Sequence, residues 1–103
     1  MTVPVRGRVY WADIGYGEKP FLCVSNNARN NALDSCLVAR ITTSAKPELA
    51  SVVPLAAADP LVGSVLCDDI VQLYREEIRR AGGALSLPTM MAVAAGLRSA
   101  FSL

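Results

Sequence analysis

The sequence predicts a mostly β protein with one C-terminal helix, folded as a small, strongly bent antiparallel barrel (a β-rich α+β fold). Short runs of β-branched and aromatic residues alternate with turn residues over most of the chain, and helical apolar spacing follows near its end. With 103 residues, 52% of them hydrophobic, the chain can build one packed core without disulfides or metal. We see no internal repeat or domain boundary, so a single domain over residues 1–103 is expected.

The first half of the chain contains two predicted strands, each followed by a predicted loop. Residues 9–14 combine aromatic and β-branched side chains, which is typical of a strand. Residues 15–18 contain two glycines and predict a flexible loop. Residues 21–24 are continuously apolar, which predicts a strand buried on both faces. Residues 25–31 include four asparagines and predict a loop rich in turns.

Three further strands are predicted before a turn region. Residues 35–43 form the third, which ends before a Lys-Pro pair, and residues 51–55 the fourth, where a proline indicates a sheet edge or a strand end. Residues 64–72 form the fifth, bent near two adjacent aspartates. Residues 74–78 predict a short helical turn whose neighbouring arginines and glutamates form a solvated face. Residues 82–83, both glycine, predict a hinge or turn.

The last segment has the signals of a helix. Ser86 can serve as its N-cap, and Pro88 lies in its first turn, where the missing N–H costs little. Four apolar residues recur at i, i+4, i+7 and i+11, namely Met90, Ala94, Leu97 and Phe101. This spacing places them on one helix face, which we expect to pack in the core or at a dimer interface.

Composition excludes several functional classes. The chain has no histidine, so acid–base chemistry must proceed without an imidazole, and a Cys–His nucleophile is excluded. The net charge of +1 means that a nucleic-acid partner would need a local basic groove. Cys23, Cys36 and Cys67 lie in apolar runs without CxxC spacing, which predicts buried free thiols in a cytoplasmic protein. We expect no metal, no cofactor and no membrane segment.

A cation and a hydroxyl on neighbouring strands form the main candidate site. Lys19 precedes the second strand, and Thr42 and Thr43 end the third. Such a pair can bracket a phosphate group. Because side chains alternate along a strand, Arg40 is predicted to share the face of Thr42.

Structural interpretations of the same residues stay open. Thr42 can be an ordinary strand-end residue, Lys19 a solvated loop cation, and Arg40 a partner of Asp13 or Asp68. The asparagine-rich segment is compatible with a simple turn. Trp11 favours a place in the core or at a dimer interface over a role as an RNA platform.

Four stretches carry a resemblance to a known family. They are residues 6–13 (RGRVYWAD), 19–27 (KPFLCVSNN), 39–43 (ARITT) and 63–70 (GSVLCDDI). In this order and spacing, and with the terminal helix, the chain resembles MazF/PemK-type toxins over nearly its whole length. Each stretch alone is weakly specific, but the four together are fairly specific.

The resemblance implies a fold, an activity and partners. Members of this family are SH3-like barrels and form homodimers. They are metal-independent, sequence-specific endoribonucleases of bacterial toxin–antitoxin pairs, and the cognate antitoxin fills the RNA groove with its C-terminal tail. The family arginine falls on Lys19 and the family serine or threonine on Thr42. Lysine is a departure, because it offers a point charge in place of a planar fork. Arg40 is predicted to supply guanidinium character instead.

The same resemblance suggests roles for further residues. Lys19 and Arg40 would neutralise charge that develops on the scissile phosphate of single-stranded RNA, and Thr42 would hydrogen-bond to it. Tyr16 would stack on a base. The remaining candidates for RNA contact are Asn26, Asn27, Arg29, Asn30, Thr43, Asp68 and Asp69.

Two other functions fit the same fold. One is a non-enzymatic gyrase inhibitor of the CcdB type, although the C-terminal helix lacks the Trp-Gly-Ile ending associated with that branch. The other is an SH3-like interaction module without catalysis. RNA cleavage in EDTA distinguishes the toxin nuclease from both.

Overall fold

The computed structural model describes residues 2–103. Six strands and two α-helices follow one another along the chain: β1 (Arg8–Asp13), β2 (Glu18–Cys23), α1 (Asn27–Ala32), β3 (Ser35–Thr42), β4 (Val52–Pro54), β5 (Ser64–Tyr74), β6 (Ile78–Ala84) and α2 (Leu87–Phe101). A short 3-10 turn over Arg75–Glu77 joins β5 to β6.

The strands form one antiparallel sheet in the order β4-β5-β3-β2-β1-β6. The prediction of a mostly β fold with a C-terminal helix is therefore confirmed. Pro54 lies at the end of β4, which is an edge strand as its proline indicated. A proline is tolerated there because an edge strand leaves one row of N–H positions unpaired.

The sheet bends where β5 bulges away from β3. Ala39 pairs with Ile70, but the next residue, Arg40, pairs with Leu66. The residues between these two partners include Asp68 and Asp69, so the strand is irregular at the two aspartates, where the sequence predicts a bend. The extra residues shift the register and bring Asp69 next to Arg40.

Apolar residues form two core clusters that use alternate positions of the central strands. The cluster that includes Val93 of α2 consists of Val9, Leu22, Ala39, Ile41, Val53, Val65, Cys67, Leu85 and Val93. The other cluster consists of Tyr10, Ala12, Phe21, Cys23, Cys36, Val38 and Leu73. Residues 21–23 of β2 are all buried, which confirms a strand covered on both faces. All three cysteines are buried and free, as predicted.

The segment around Gly82 and Gly83 is a strand, not the predicted turn. Both glycines belong to β6, which pairs with β1. The arginines before them therefore lie on a strand rather than on a solvated helix face. A Cβ at Gly82 would lie 2.8 Å from Nε1 of Trp11, so glycine lets the indole pack against the strand. A residue without a side chain gives no strand signal in a sequence.

The predicted apolar stripe of α2 is confirmed in part. Met90 and Leu97 pack against the core cluster that includes Val93, whereas Phe101 is exposed. The fully buried positions of the helix, Thr89, Val93 and Gly96, lie one residue before the stripe. A Cβ at Gly96 would approach Cys67 Sγ to 2.8 Å, so the helix backbone packs closely on the sheet there. Threonine and glycine contribute little hydrophobic signal, which is why the apolar pattern indicated the adjacent face.

Candidate functional site

A cleft of about 480 Å³ opens where β2 begins and β3 ends. Lys19, Arg40, Thr42 and Thr43 all line it, and we call it the Lys19 cleft. Phe21 pairs with Arg40, and this register, continued by two residues, places Lys19 opposite Thr42. The structure thus brings together the cation, the hydroxyl and the second cation that the sequence singled out.

Pro20 explains why the cleft opens at this point. Pairing between β2 and β3 ends at Phe21. Pro20, the next residue toward the start of β2, has no N–H with which to extend the ladder. The two strands therefore separate, and the polar side chains at their ends line an open space.

The Thr42 side chain is oriented by a local hydrogen bond. Its Oγ1 accepts the backbone N–H of Ser44 at 3.1 Å. A hydroxyl that accepts one hydrogen bond still has its own O–H to donate. Thr42 can therefore donate to an anionic oxygen that enters the cleft.

Lys19 and Arg40 supply the positive charge of the cleft. Arg40 pairs with Asp69 at 3.3 Å, and not with Asp13 or Asp68, and the two side chains are 52% and 36% exposed. An ion pair this exposed contributes roughly 0–1 kcal/mol, so a ligand can compete for Arg40. Within residues 2–103 the salt bridges are Arg40–Asp69 and Arg80–Glu18, so Lys19 has no carboxylate partner there.

A smaller pocket of about 150 Å³ shares Lys19 and Arg40 with the Lys19 cleft. Its other walls include Tyr16, which is 81% exposed, and Asp69. Tyr16 lies between Gly15 and Gly17, which both have positive φ angles (116° and 85°). The predicted stacking residue thus lies on an exposed turn beside the two cations.

Asp68 lies elsewhere. It does not line the Lys19 cleft, but together with Asp69 it lines a separate cleft of about 410 Å³ beside Lys46. Of the two aspartates predicted to contact RNA, the structure therefore brings only Asp69 next to Arg40.

The asparagine-rich segment lies at the far end of β2 from the Lys19 cleft. It follows Cys23, four residues from Lys19 along the strand, so β2 alone separates the two regions by roughly 14 Å. The segment forms α1 rather than the predicted loop. Asn26, Asn27, Arg29 and Asn30 are thus not brought together with the cleft.

The side chains of this segment bond within the protein. Asn26 Oδ1 accepts the Arg29 N–H at 2.8 Å and caps α1, and Asn27 Oδ1 accepts the Arg6 N–H at 2.8 Å. Arg29 Nη1 donates to the Ser35 carbonyl at 3.0 Å. Their observed contacts support the fold, and their distance from the cleft does not favour RNA reading.

Asn30 is the clearest correction among the predicted RNA contacts. It is fully buried, and its amide bonds to Ser25 Oγ (2.5 Å), Ser25 O (3.0 Å) and Cys23 Sγ (3.3 Å). A base cannot reach this amide, so the prediction that Asn30 reads a base edge is wrong. Polarity alone suggested that role, but burial decides which partners a polar group meets.

Cys23 and Cys36 extend the same buried network. The neighbouring Cys36 thiol lowers the pKa of Cys23, as do the hydrogen bonds with Ser25 and Asn30, against the opposing effect of burial. The neighbouring Cys23 thiol and burial raise the pKa of Cys36. These thiols lie beneath α1, away from the Lys19 cleft.

Seven further residues line the Lys19 cleft without having been predicted there: Trp11, Glu18, Pro20, Ile41, Ser44, Leu61 and Val62. Trp11 was expected in the core or at a dimer interface. Glu18 is adjacent to Lys19 in sequence, but its partner Arg80 is distant, so the sequence offered no signal for the pair. Leu61 and Val62 join Trp11, Pro20 and Ile41 in the apolar part of the cleft wall.

Residues 2–103 contain neither a cluster of metal-ligating side chains nor a helix suited to span a membrane. No group of three or more cysteine, aspartate or glutamate residues in that range could hold a metal ion. The same range contains no helix that is both long and apolar enough to cross a membrane.

Comparison with known sequences assigns the family. The profile described as "PemK-like, MazF-like toxin of type II toxin-antitoxin system" matches residues 5–101. The chain belongs to this family. It is 38% identical over 103 residues to Endoribonuclease MazF4 of Mycobacterium tuberculosis and to Endoribonuclease MazF1 of Mycobacterium bovis, covering 100% of this chain and 97% of each relative.

Solved structures agree with this assignment. An endoribonuclease in complex with its cognate antitoxin, from a mycobacterial species, matches with a TM-score of 0.93 and 38% identity over 97% of this chain and 96% of that one. MazE–MazF of Deinococcus radiodurans matches with a TM-score of 0.86 and 24% identity over 100% and 99%. The second likeness, at this identity, supports the fold alone.

Proposed function

We propose that this MazF-family toxin cleaves single-stranded RNA sequence-specifically and without metal in the Lys19 cleft. One observation carries the proposal: Lys19, Arg40 and Thr42 line a single open cleft in a chain whose mycobacterial relatives are named endoribonucleases. The cleft offers two cations and a hydroxyl donor, which are the groups that a phosphodiester needs.

RNA carries its own nucleophile, so the protein has little covalent chemistry to supply. The ribose 2′-OH attacks the adjacent phosphorus and expels the 5′-oxygen, leaving a 2′,3′-cyclic phosphate and a 5′-OH. Catalysis then consists of alignment, stabilisation of charge on the non-bridging oxygens, and proton transfer.

Each cleft residue has a distinct role in this reaction. Thr42 donates its O–H to a non-bridging oxygen while the Ser44 N–H holds its Oγ1 in place. Lys19 neutralises the same developing charge and can give a proton to the leaving oxygen, which arginine does less readily. Arg40 leaves its exposed pair with Asp69 to bind the phosphate.

Base recognition falls to residues around the smaller pocket. Tyr16 stacks on a base next to the scissile phosphate, and Asp69 accepts a hydrogen bond from a base amine. Thr43 lines the Lys19 cleft and adds a hydroxyl contact. Asp68 contacts RNA only if the strand continues toward Lys46.

The chemistry of the cleft also fits a protein partner. We infer that the toxin forms a homodimer. We also infer a cognate antitoxin whose C-terminal tail, rich in acidic and apolar residues, displaces RNA from the Lys19 cleft. The cations Lys19 and Arg40 suit acidic side chains, and Leu61 and the exposed Val62 suit apolar ones. Three buried free thiols fit action in the reducing cytoplasm.

The decisive experiment incubates the purified protein with a long RNA in EDTA and maps the ends. Discrete cuts with a cyclic phosphate upstream and a 5′-OH downstream support the proposal. A matched DNA lacks the 2′-OH and should stay intact. A parallel assay with gyrase and DNA tests the alternative functions. Trapped gyrase–DNA cleavage complexes without RNA cuts would indicate a CcdB-like inhibitor, and no activity in either assay would indicate an interaction module.

Arg40 has its own test. Arg40→Ala should lower the cleavage rate by about 10- to 100-fold, the loss expected for one charge-assisted hydrogen bond of roughly 1.5–3 kcal/mol. Arg79→Ala removes an exposed arginine that does not line the cleft, and serves as the control. If Arg40→Ala kept full activity, the proposed role of Arg40 in catalysis would be contradicted.

A further inference from the structure

The Lys19 cleft contains a carboxylate that the proposed reaction has not used. Glu18 lines the cleft beside Lys19, Arg40 and Thr42. Among the cleft-lining residues of the described chain, 2–103, it is the one carboxylate, and its side chain is 41% exposed. Because the chain has no histidine, any side chain that accepts a proton in this cleft must be of another type.

Glu18 is held by a stack of side chains from three strands. Its Oε1 accepts a hydrogen bond from Arg80 Nε at 2.6 Å. The Arg80 guanidinium lies over the Trp11 ring, 4.5 Å from its centroid. Trp11 in turn packs on Gly82, where no side chain would fit. The carboxylate is therefore fixed at the edge of the cleft rather than free on a loop.

One oxygen of Glu18 stays available. Oε1 bonds to Arg80, and Oε2 has no hydrogen-bond partner among residues 2–103. A carboxylate has lone pairs on both oxygens, so Oε2 can accept a proton while Oε1 keeps its bond to Arg80.

We propose that Glu18 is the general base that removes the proton from the ribose 2′-OH. The proposal rests on the proposed RNA cleavage and assigns its proton acceptor. Glu18 Oε2 takes the 2′-OH proton as the 2′-oxygen forms its bond to phosphorus. The bond from phosphorus to the 5′-oxygen breaks, and Lys19 gives that oxygen a proton. Solvent then returns a proton to Lys19 and removes one from Glu18.

The charges around Glu18 are compatible with this role. Lys19 on β2, Arg40 on β3 and Arg80 on β6 supply positive charge around the carboxylate. Asp69 on β5 pairs with Arg40 before RNA binds and accepts from a base amine once Arg40 turns to the phosphate. The cations offset the repulsion between Glu18 and the RNA phosphate. Arg80 and Trp11 act through Glu18 and are positioning residues.

The first test compares two variants that each remove one negative charge. Glu18→Gln should lower kcat by on the order of 10²–10⁴-fold and abolish the rise of kcat/KM with pH on the acidic side. Binding of an RNA with a 2′-deoxy scissile nucleotide should stay equal or tighten. Glu76→Gln changes an exposed residue outside the cleft and should keep the wild-type rate and pH profile.

A sulfur-substituted RNA separates the base from the acid. When sulfur replaces the bridging 5′-oxygen, the leaving thiolate needs no proton. This substrate should restore the part of the Lys19→Ala rate that is lost with the proton donor, and so should rescue Lys19→Ala by a larger factor than Glu18→Gln. Equal rescue of the two variants would show that Glu18 does not act as the base.

Variants of Arg80 test whether this arginine positions the Glu18 carboxylate. Arg80→Gln keeps the Glu18 carboxylate but removes the ion pair that orients it. The value of kcat should therefore fall by only about tenfold, and kcat/KM should still rise with pH on the acidic side. Arg80→Lys should recover part of the loss. Arg79→Gln, on the same strand, is the matched control. An acidic limb lost in Arg80→Gln as well would contradict a separate role for Glu18.

The outcomes separate this inference from the function on which it rests. Wild-type protein that leaves RNA intact overturns both. If the wild type cleaves RNA, three results for Glu18→Gln would each overturn the general base alone. They are full activity, a defect confined to KM, and a kcat/KM that still rises with pH on the acidic side. Thermal unfolding of each variant shows whether a lost rate reflects a lost fold.

Discussion

The two ends of β2 carry similar numbers of polar side chains but use them in opposite ways. At its C-terminal end, Asn30 is buried, and its amide bonds to Ser25 and Cys23. At its N-terminal end, Lys19 has no carboxylate partner within residues 2–103, and Arg40 holds only an exposed one. One end is a closed network, and the other is open to ligand.

The difference follows from desolvation. A buried polar group that lacks a partner costs roughly 1–3 kcal/mol, so the groups beneath α1 must satisfy one another. Exposed groups keep their water and can exchange it for a ligand at little cost. Polar side chains in the closed network therefore stabilise the fold, and those of the cleft are available for chemistry.

The largest effect should come from the open end. Lys19→Ala or Thr42→Ala should each lower the cleavage rate on the order of 10²–10³-fold, because each removes a group that stabilises developing charge. The melting temperature should barely change, since neither side chain is buried. Quantitative RNA cleavage and thermal unfolding measure the two effects.

Matched controls sharpen this prediction. Arg98→Ala and Thr2→Ala remove a cation and a hydroxyl outside the Lys19 cleft and should keep full activity. A large loss of stability in Thr42→Ala would contradict the conclusion that polar side chains of the Lys19 cleft contribute little to the stability of the fold.

Asn30→Ala should show the reverse behaviour. It leaves Ser25 Oγ and the Ser25 carbonyl without their amide partner inside the protein. The free energy of unfolding should fall by about 1–3 kcal/mol, with unchanged cleavage by the folded fraction. Chemical denaturation measures this loss. Asn31→Ala, at an exposed position, should change stability by less than about 0.5 kcal/mol.

Asp59 holds the loop that forms the Leu61–Val62 side of the Lys19 cleft. Its carboxylate accepts hydrogen bonds from the Ser86 N–H, the Ala56 N–H and Thr89 Oγ1, all at 2.7 Å, and so ties α2 to the loop that carries Leu61 and Val62. Burial raises the pKa of Asp59, but these bonds outweigh it and hold the pKa below the ordinary 3.8.

A lowered pKa gives a definite sign to the pH dependence. The stabilisation is fully present above the unfolded-state pKa and is lost as the pH falls through the lower folded-state pKa. The melting temperature should therefore drop below about pH 4 more steeply in wild type than in Asp59→Asn. At pH 7 the variant should lose about 1–2 kcal/mol, because an amide cannot accept all three bonds. Equal acid sensitivity of the two proteins would contradict this assignment.

Replacement of Asp69 should alter the cleavage pattern more than the stability. Asp69→Asn removes one side of an exposed ion pair and should change the free energy of unfolding by less than about 1 kcal/mol. Its cleavage pattern should change instead, because an amide presents a donor as well as an acceptor to a base. Sequencing of the RNA ends compares the patterns. A stability loss of several kcal/mol would place Asp69 with the closed network.

Local patterns predicted much of the fold because strands and helices leave their periodicity in the chain. The elements β1 to β5 and α2 follow runs of apolar or β-branched residues, and Lys19 and Thr42 were found from their places at strand ends. The sequence did not indicate β6 or the close approach of α2 to the sheet, because Gly82 and Gly96 act through the absence of a side chain. The asparagines were misjudged because a sequence shows polarity but not partners.

The sequence by itself determined the alternation of apolar and polar residues, the start of the C-terminal helix, and the absence of histidine, all of which are local or compositional properties. Only the tertiary structure decided that Asn30 is enclosed, that Asp69 rather than Asp68 meets Arg40, and that Glu18 pairs with an arginine 62 residues away. The reason is physical: the chemistry of a polar side chain depends on the water and partners around it, and sheet topology brings those from distant parts of the chain.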